Sequence, residues 1–172
     1  MNYQDPQTSA VIELAPDVIA LLSAHKQWGF LSRERGGLLF LRHEPQDRIY
    51  VSQATAPHKR DKSTRTSLVL DPKRCSDEIR SANERELWFV GYWHTHPERL
   101  PRISSHDLIA FENCLASPAV GISAMLAVIV GSSGAPEEFS AYLIGNKKVT
   151  ELDKLREWLP KEKAGRSNCV DL

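Results

Sequence analysis

The stretch Trp93-His94-Thr95-His96-Pro97, with Ser104 and Asp107 beyond it, holds the residue types best suited to chemistry. In an extended strand alternate side chains share a face, so His94 and His96 project together while Thr95 turns away. By strand rise their Cα atoms stand about 7 Å apart, close enough for both rings to reach one ion. Seven residues separate His96 from Ser104, enough for the chain to turn and present Asp107 from the first turn of a helix. Two neutral imidazoles and one carboxylate suit Zn²⁺ and leave a fourth position for water. A structural zinc is ordinarily closed by four protein ligands. Cys114 is a poor fourth donor, because seven residues beyond Asp107 on a helix is about 10 Å along the axis. Each piece also has a plainer reading. The histidines could be packing residues, and Ser104-Ser105-His106-Asp107 fits a capping box in which Asp107 returns a hydrogen bond to the helix start.

The elements that must position these residues follow from periodicity and turn chemistry. Val11–Leu14 reads as a short strand, and Pro16 opens a helix to about Lys26 with Val18, Leu21 and Leu22 on one face. Strands are expected over Leu38–Leu41 and Ile49–Ala54, joined by a turn at Glu44-Pro45-Gln46-Asp47. Pro57–Thr66 is a polar, basic loop, with His58, Lys59, Arg60, Lys62 and Arg65 against Asp61 alone. It is either a solvated loop or a loop over the site that touches a protein substrate. Thr66–Leu70 is a strand, and Pro72 begins a helix to about Glu86 with Cys75, Ile79 and Ala82 inward. Leu87–His96 is the central strand, apolar enough for both faces to be covered. Gly91 within it marks the close approach of another backbone or a ligand. A helix from Ser104 or Ser105 to Leu115 turns Leu108, Phe111 and Leu115 inward. Strands follow over Ser123–Val130 and Glu138–Ile144, with an edge strand at Lys147–Thr150. A last amphipathic helix is expected on Leu152, Leu155 and Leu159. Strands interleaved with helices, several in hairpin relation, argue a mixed α/β or α+β domain.

Composition sets the outer bounds. At 172 residues the chain reads as one domain, 1–172, with a core over about 9–159 and a loose tail over 160–172. Its 22 basic and 22 acidic residues leave no net charge, so nothing global argues for nucleic acid or a membrane surface. Cys75, Cys114 and Cys169 are few, odd in number and far apart, as in a reducing compartment such as the cytoplasm. No apolar run approaches the roughly 18 residues that a membrane span needs.

Glu34-Arg35-Gly36-Gly37, then His94-Thr95-His96-Pro97, seven residues, and Ser104-x-x-Asp107 resembles the JAMM motif of the JAB/MPN metalloprotease family. The resemblance implies a cytidine-deaminase-like MPN fold, with a central, mostly antiparallel curved sheet flanked by helices. It implies His94, His96 and Asp107 as Zn²⁺ ligands, Glu34 as general base, and Ser104 as a donor that holds water and stabilises the oxyanion. Physical chemistry agrees with those roles. Zinc lowers the pKa of a bound water towards about 7. A carboxylate base contributes typically about 10²–10⁴-fold. A fixed hydroxyl donor at a developing oxyanion is worth more than the same donor in water. Gly36 and Gly37 permit the close backbone approach that sets Glu34 against the histidine strand.

Trp93-His94-Thr95-His96-Pro97-Glu98 is similar to small prokaryotic JAB peptidases that accompany ubiquitin-like conjugation machinery, antiphage operons included. That resemblance implies cleavage after the tail of a ubiquitin-like protein, to mature it or to release it from an amine. The implied partners are that protein or its conjugate, together with associated activating and conjugating enzymes. The tail would lie extended towards the metal, where it could pair with a strand edge. Two other readings stay open: a non-catalytic scaffold domain of the same family, and a DNA-repair-associated branch. That branch carries Ser-Gly after His-Pro, where this chain has Glu98-Arg99. Trp93 should point away from the ligands and serve as support or rim.

Overall fold

The computed structural model describes residues 1–29, 31–42, 48–117, 121–145 and 147–155. Its centre is the antiparallel pair β3 (Gly36–Arg42) and β7 (Leu87–Thr95), in which Gly36 lies opposite His94 and Gly37 opposite Trp93. A bulge between Leu39 and Phe40 shifts the register further along the pair. On the far side of β7 runs β8 (Ala124–Val130), parallel to it, followed by β9 (Ser140–Gly145) and β10 (Lys148–Glu151). On the far side of β3 come β4 (Arg48–Ala54), β2 (Val11–Leu14), β1 (Asn2–Gln4) and β11 (Asp153–Leu155). Only β7–β8 and β2–β4 are parallel, so the sheet is mixed and mostly antiparallel, as expected.

Strands β10 and β11 form opposite edges of the nine-stranded sheet, yet Leu152 alone separates them in the chain. The sheet must therefore curl until its edges nearly meet. Leu152 fastens that seam: its side chain is buried, and its N–H donates to Ala141 O at 2.9 Å. This corrects the expectation of a terminal helix starting at Leu152. Leu152 is buried between the two strands, and Asp153–Leu155 is a strand laid antiparallel against β1, whose polar sequence hid its own pairing. Leu159 and the 160–172 tail lie outside the described residues, as does the expected turn at 44–47.

Among the described residues three α-helices pack on the sheet. Helix α1 (Pro16–Ala24) buries Val18 and Leu22 in the main core, and ends two residues earlier than its periodicity suggested. Helix α2 (Pro72–Asn83) is capped by Asp71, whose side chain accepts from Arg74 N, and turns Cys75, Ile79 and Ala82 onto Leu38 and Phe40. It stops at Asn83, short of Glu86. Helix α3 (Ser105–Leu115) lays Leu108, Phe111 and Leu115 against Met125, Ala127 and Ile129 of β8. The expected strand at 66–70 is present but shorter, and it stays out of the main sheet. Residues Leu68–Val69 (β6) pair only with Lys62–Ser63 (β5), in a separate ribbon above the sheet.

The basic loop before that ribbon is pinned rather than loose. Its one acid, Asp61, accepts from Arg74 Nη2 at 2.8 Å and Nε at 3.1 Å, and from the N–H groups of Asp71 and His58. Arg74 is itself 1% exposed, so helix α2 sends a fully buried guanidinium to fasten the loop. Its Nη1 goes on to Thr55 Oγ1, and Thr55 O receives the Trp93 indole N–H at 2.9 Å. Trp93 is wholly buried and stacks on His25, which makes it support and not rim. A Cβ at Gly91 would strike the backbone of Leu126, the close approach expected there.

Candidate metal centre

The histidines are delivered by β7 and the carboxylate by α3. Near its end β7 is held on both sides: His96 N donates to Val130 O, and Thr95 N to Arg35 O. Regular alternation up to Thr95 puts His94 and His96 on one face, with their Nε2 atoms 3.1 Å apart. Ser104 caps α3 through a complete capping box. Asp107 N donates to Ser104 Oγ at 3.1 Å, and Ser104 N donates to Asp107 Oδ2 at 2.9 Å. The plain reading of these residues is thus fulfilled, and it coexists with the other one. The cap fixes Asp107 so that Oδ1 lies 3.4 Å from His94 Nε2 and Oδ2 lies 3.4 Å from His96 Nε2.

Those separations test whether the donors suit zinc. Four donors about 2.0–2.1 Å from a tetrahedral ion lie about 3.4 Å from one another. The two Nε2 atoms are 3.1 Å apart, and each lies 3.4 Å from its own Asp107 oxygen, Oδ1 for His94 and Oδ2 for His96; one ligand atom from each residue lies within 4.8 Å of the others, on the scale of that tetrahedron. Among the described residues these three form the grouping able to hold a metal, with the two histidines buried and the carboxylate half-buried.

Glu34 enters from the segment that leads into β3, two residues before Gly36. Its carboxyl is buried, and its N–H donates to Thr64 O at 2.8 Å. Burial pushes its pKa up to about 7. The His96 charge pulls the other way, while Asp107 and Glu98 add to the rise. At His96 burial would lower the pKa, but Asp107, Glu34 and Glu98 outweigh it and raise it. Burial likewise opposes the Asp107 charge, yet hydrogen bonds from His94, His96 and Ser104 hold its carboxyl well below the ordinary carboxylate range. A base poised near neutrality beside clustered metal donors is an arrangement suited to proton transfer. All five residues singled out in the sequence therefore meet at one place.

Sequence reasoning missed two supporting residues. Thr95 turns away from the site, as expected, but its Oγ1 accepts from Arg35 N at 3.0 Å and contacts Gln27 Oε1 at 3.4 Å. Gln27 is 1% exposed, and its Nε2 donates to Arg65 O at 2.6 Å and Ser32 O at 3.2 Å. It ties together the three segments around Glu34. Nothing in its local sequence distinguishes it from any polar residue after a helix.

A groove of about 780 Å³ leads to His94 and Asp107. Phe89 and Tyr92 of β7, Ile79 of α2, Phe111 of α3 and Leu68 of the ribbon line it. The fold and site together describe a mixed α/β domain with an open centre of two imidazoles and one carboxylate. The chain belongs to the family described as prokaryotic homologs of the JAB domain, whose model matches residues 16–141. A protein of Escherichia coli (strain TW11681) named CD-NTase/cGAS isopeptidase is 24% identical over 150 residues, covering 85% of this chain and 88% of that protein. The solution structure of protein DSY2949 from Desulfitobacterium hafniense shares the fold, with a TM-score of 0.56 at 21% identity over 87% of this chain and 95% of that one. Among the described residues no helix is long and apolar enough to cross a membrane.

Proposed function

We propose that this chain is a zinc-dependent isopeptidase that releases the C-terminal tail of one protein from an amine on another. The observation that carries this reading is the cluster of His94, His96 and Asp107 beside a buried Glu34, with His94 and Asp107 lining an apolar groove. His94, His96 and Asp107 would hold the ion. Zinc, when bound, supplies Lewis acidity and lowers the pKa of water at neutral pH. The Glu34 carboxylate takes the proton of the attacking water and delivers it to the leaving amine. The Ser104 hydroxyl now donates to Asp107 Oδ2 at 2.6 Å. When it turns to the carbonyl oxygen of the scissile bond, the Ser104 N–H still serves that carboxylate oxygen.

The groove takes the tail in extended form, and the tail can add to the β6 edge of the ribbon. The acyl half is a ubiquitin-like protein, or a signalling enzyme of the kind in the Escherichia coli relative's name, a CD-NTase/cGAS. The test is cleavage of C-terminal fusions and lysine-linked conjugates of such proteins, with and without a chelator. Cleavage at the end of the tail, lost on chelation and restored by zinc, is expected. Fully zinc-loaded protein that cuts neither kind of bond in either class of conjugate would overturn the proposal.

A further inference from the structure

A second cleft adjoins the site and shares no lining residue with the groove. Of about 380 Å³, it is lined by Gln27, Trp28, Gly29, Arg65, Pro97 and Ser132, and Pro97 follows His96 directly. Two stretches frame it, 25–35 leading into Glu34 and 97–103 leading out of His96. The first is tied to the ribbon loop by the bond from Gln27 to Arg65 O. Large apolar side chains stand in solvent here: Trp28 is 70% exposed, Leu31 89% and Leu100 73%. Along the same two stretches Lys26, Arg33, Arg35 and Arg102 are exposed, and none makes an ion pair among the described residues, Lys26 Nζ standing 5.5 Å over the Trp28 ring. Arg99 is occupied by Glu138, and the one exposed carboxylate in the two stretches, Glu98, leans to His96 Nδ1 at 3.4 Å. A chain with no net charge thus carries an excess of cations and exposed apolar side chains on the two stretches that leave its candidate site.

We propose that this face docks the amine-bearing half of the substrate, and that this half presents an acidic protein surface with apolar side chains at its centre. The proposal rests on the isopeptidase reading for its direction. The tail of the acyl half fills the groove on the His94–Asp107 side, so the amine must depart across the His96–Pro97 side. Charge complementarity names the partner's sign, and the exposed indole and leucines are the anchors that protein interfaces bury. Four cations spaced by aliphatic side chains suit a folded acidic surface better than a phosphate backbone, which gives Leu31 and Leu100 nothing to bury against.

The full zinc-loaded chain is tested by fluorescence anisotropy with a labelled peptide of alternating acidic and leucine residues. Its lysine-substituted counterpart and a single-stranded DNA oligonucleotide of equal charge serve as comparisons. Each exposed charge contributes only a few-fold, so the four together should favour the acidic peptide by about tenfold, less at high salt. The triple variant Lys26→Glu, Arg33→Glu, Arg102→Glu should reverse the ranking at an unchanged melting temperature. Equal binding of the two peptides, or tighter binding of the oligonucleotide than of the acidic peptide, would overturn the proposal. The kinetic arm joins one acyl half through a lysine to either peptide, and the acidic leaving half should show a KM about tenfold lower. Hydrolysis of both conjugates with equal KM would sink the docking face while leaving the isopeptidase standing. Selective binding of the acidic peptide, with neither conjugate cut by the zinc-loaded chain, would support the face and sink the isopeptidase reading.

Discussion

Thr95, between the two histidines, is bonded twice to Arg35, the residue after Glu34: Thr95 N donates to Arg35 O at 2.8 Å, and Arg35 N donates to Thr95 Oγ1 at 3.0 Å. These bonds lie just beyond the point where Gly36 faces His94, and they tie Glu34 to histidines some sixty positions along the chain. The placement depends on backbone pairing, so it is set before any metal or substrate arrives.

The Glu34 carboxyl gives the metal-free protein a pH dependence of known sign. Its folded-state pKa, about 7, lies above its ordinary 4.5, so the folded state binds the proton more tightly. Stability from this group is present below pH about 4.5 and is lost as pH rises through about 7. Glu34→Gln should remove that loss. Thermal melts of the metal-stripped protein at pH 8 should show the variant melting above wild type, with the gap closing towards pH 5.

Asp107 has two roles that substitution can separate. Asp107→Asn keeps an acceptor for Ser104 N–H and should leave helix α3 capped, while weakening zinc binding. Asp107→Ala should lose zinc and also about 1 kcal/mol of stability from the broken capping box. Zinc content and melts of the apo proteins check both. Equal apo stability of the two variants would deny the cap its contribution.

The buried pair Asp61–Arg74 should be costly to break. Asp61→Ala leaves a guanidinium that is 1% exposed without its bidentate partner, at a cost of about 3–5 kcal/mol. Urea unfolding measures it, and a loss below about 1 kcal/mol would mean that water or Glu78 takes over.

Gly37 has no room for a side chain. A Cβ there would lie 2.2 Å from Thr55 O and 2.8 Å from Trp93 Nε1. Gly37→Ala should destabilise by about 1–3 kcal/mol through forced backbone movement. Activity should fall further than stability, because the displaced strand carries Glu34; a variant with wild-type activity would show that the strand accommodates the methyl group.

Much of this was legible in the sequence, for physical reasons that differ by element. His94 and His96 sit at the end of an apolar strand whose last residues are buried on both faces although Trp88 near its start is 54% exposed, so period-two alternation placed them on one face. Ser104 and Asp107 carry a local capping signature that places them without tertiary information. Glu34 could be tied to them only through the motif, since strand pairing across sixty residues leaves no local trace. The closure of the sheet was hidden for the same reason: Asn2–Gln4 and Asp153–Leu155 are short and polar, and become strands by pairing with each other. Gln27, Thr95 and Arg74 act through buried polar contacts, which periodicity does not register.

If Glu34 moves the proton at a zinc centre held by His94, His96 and Asp107, removing its carboxylate must slow hydrolysis without releasing the metal. The decisive comparison is hydrolysis of a lysine-linked conjugate by zinc-loaded wild type and zinc-loaded Glu34→Gln, with metal content measured on the same samples. Equal zinc is expected, about one ion per chain for three converging ligands, with a rate lower by at least about 10²-fold in the variant. Equal zinc with an undiminished rate would remove Glu34 from the chemistry.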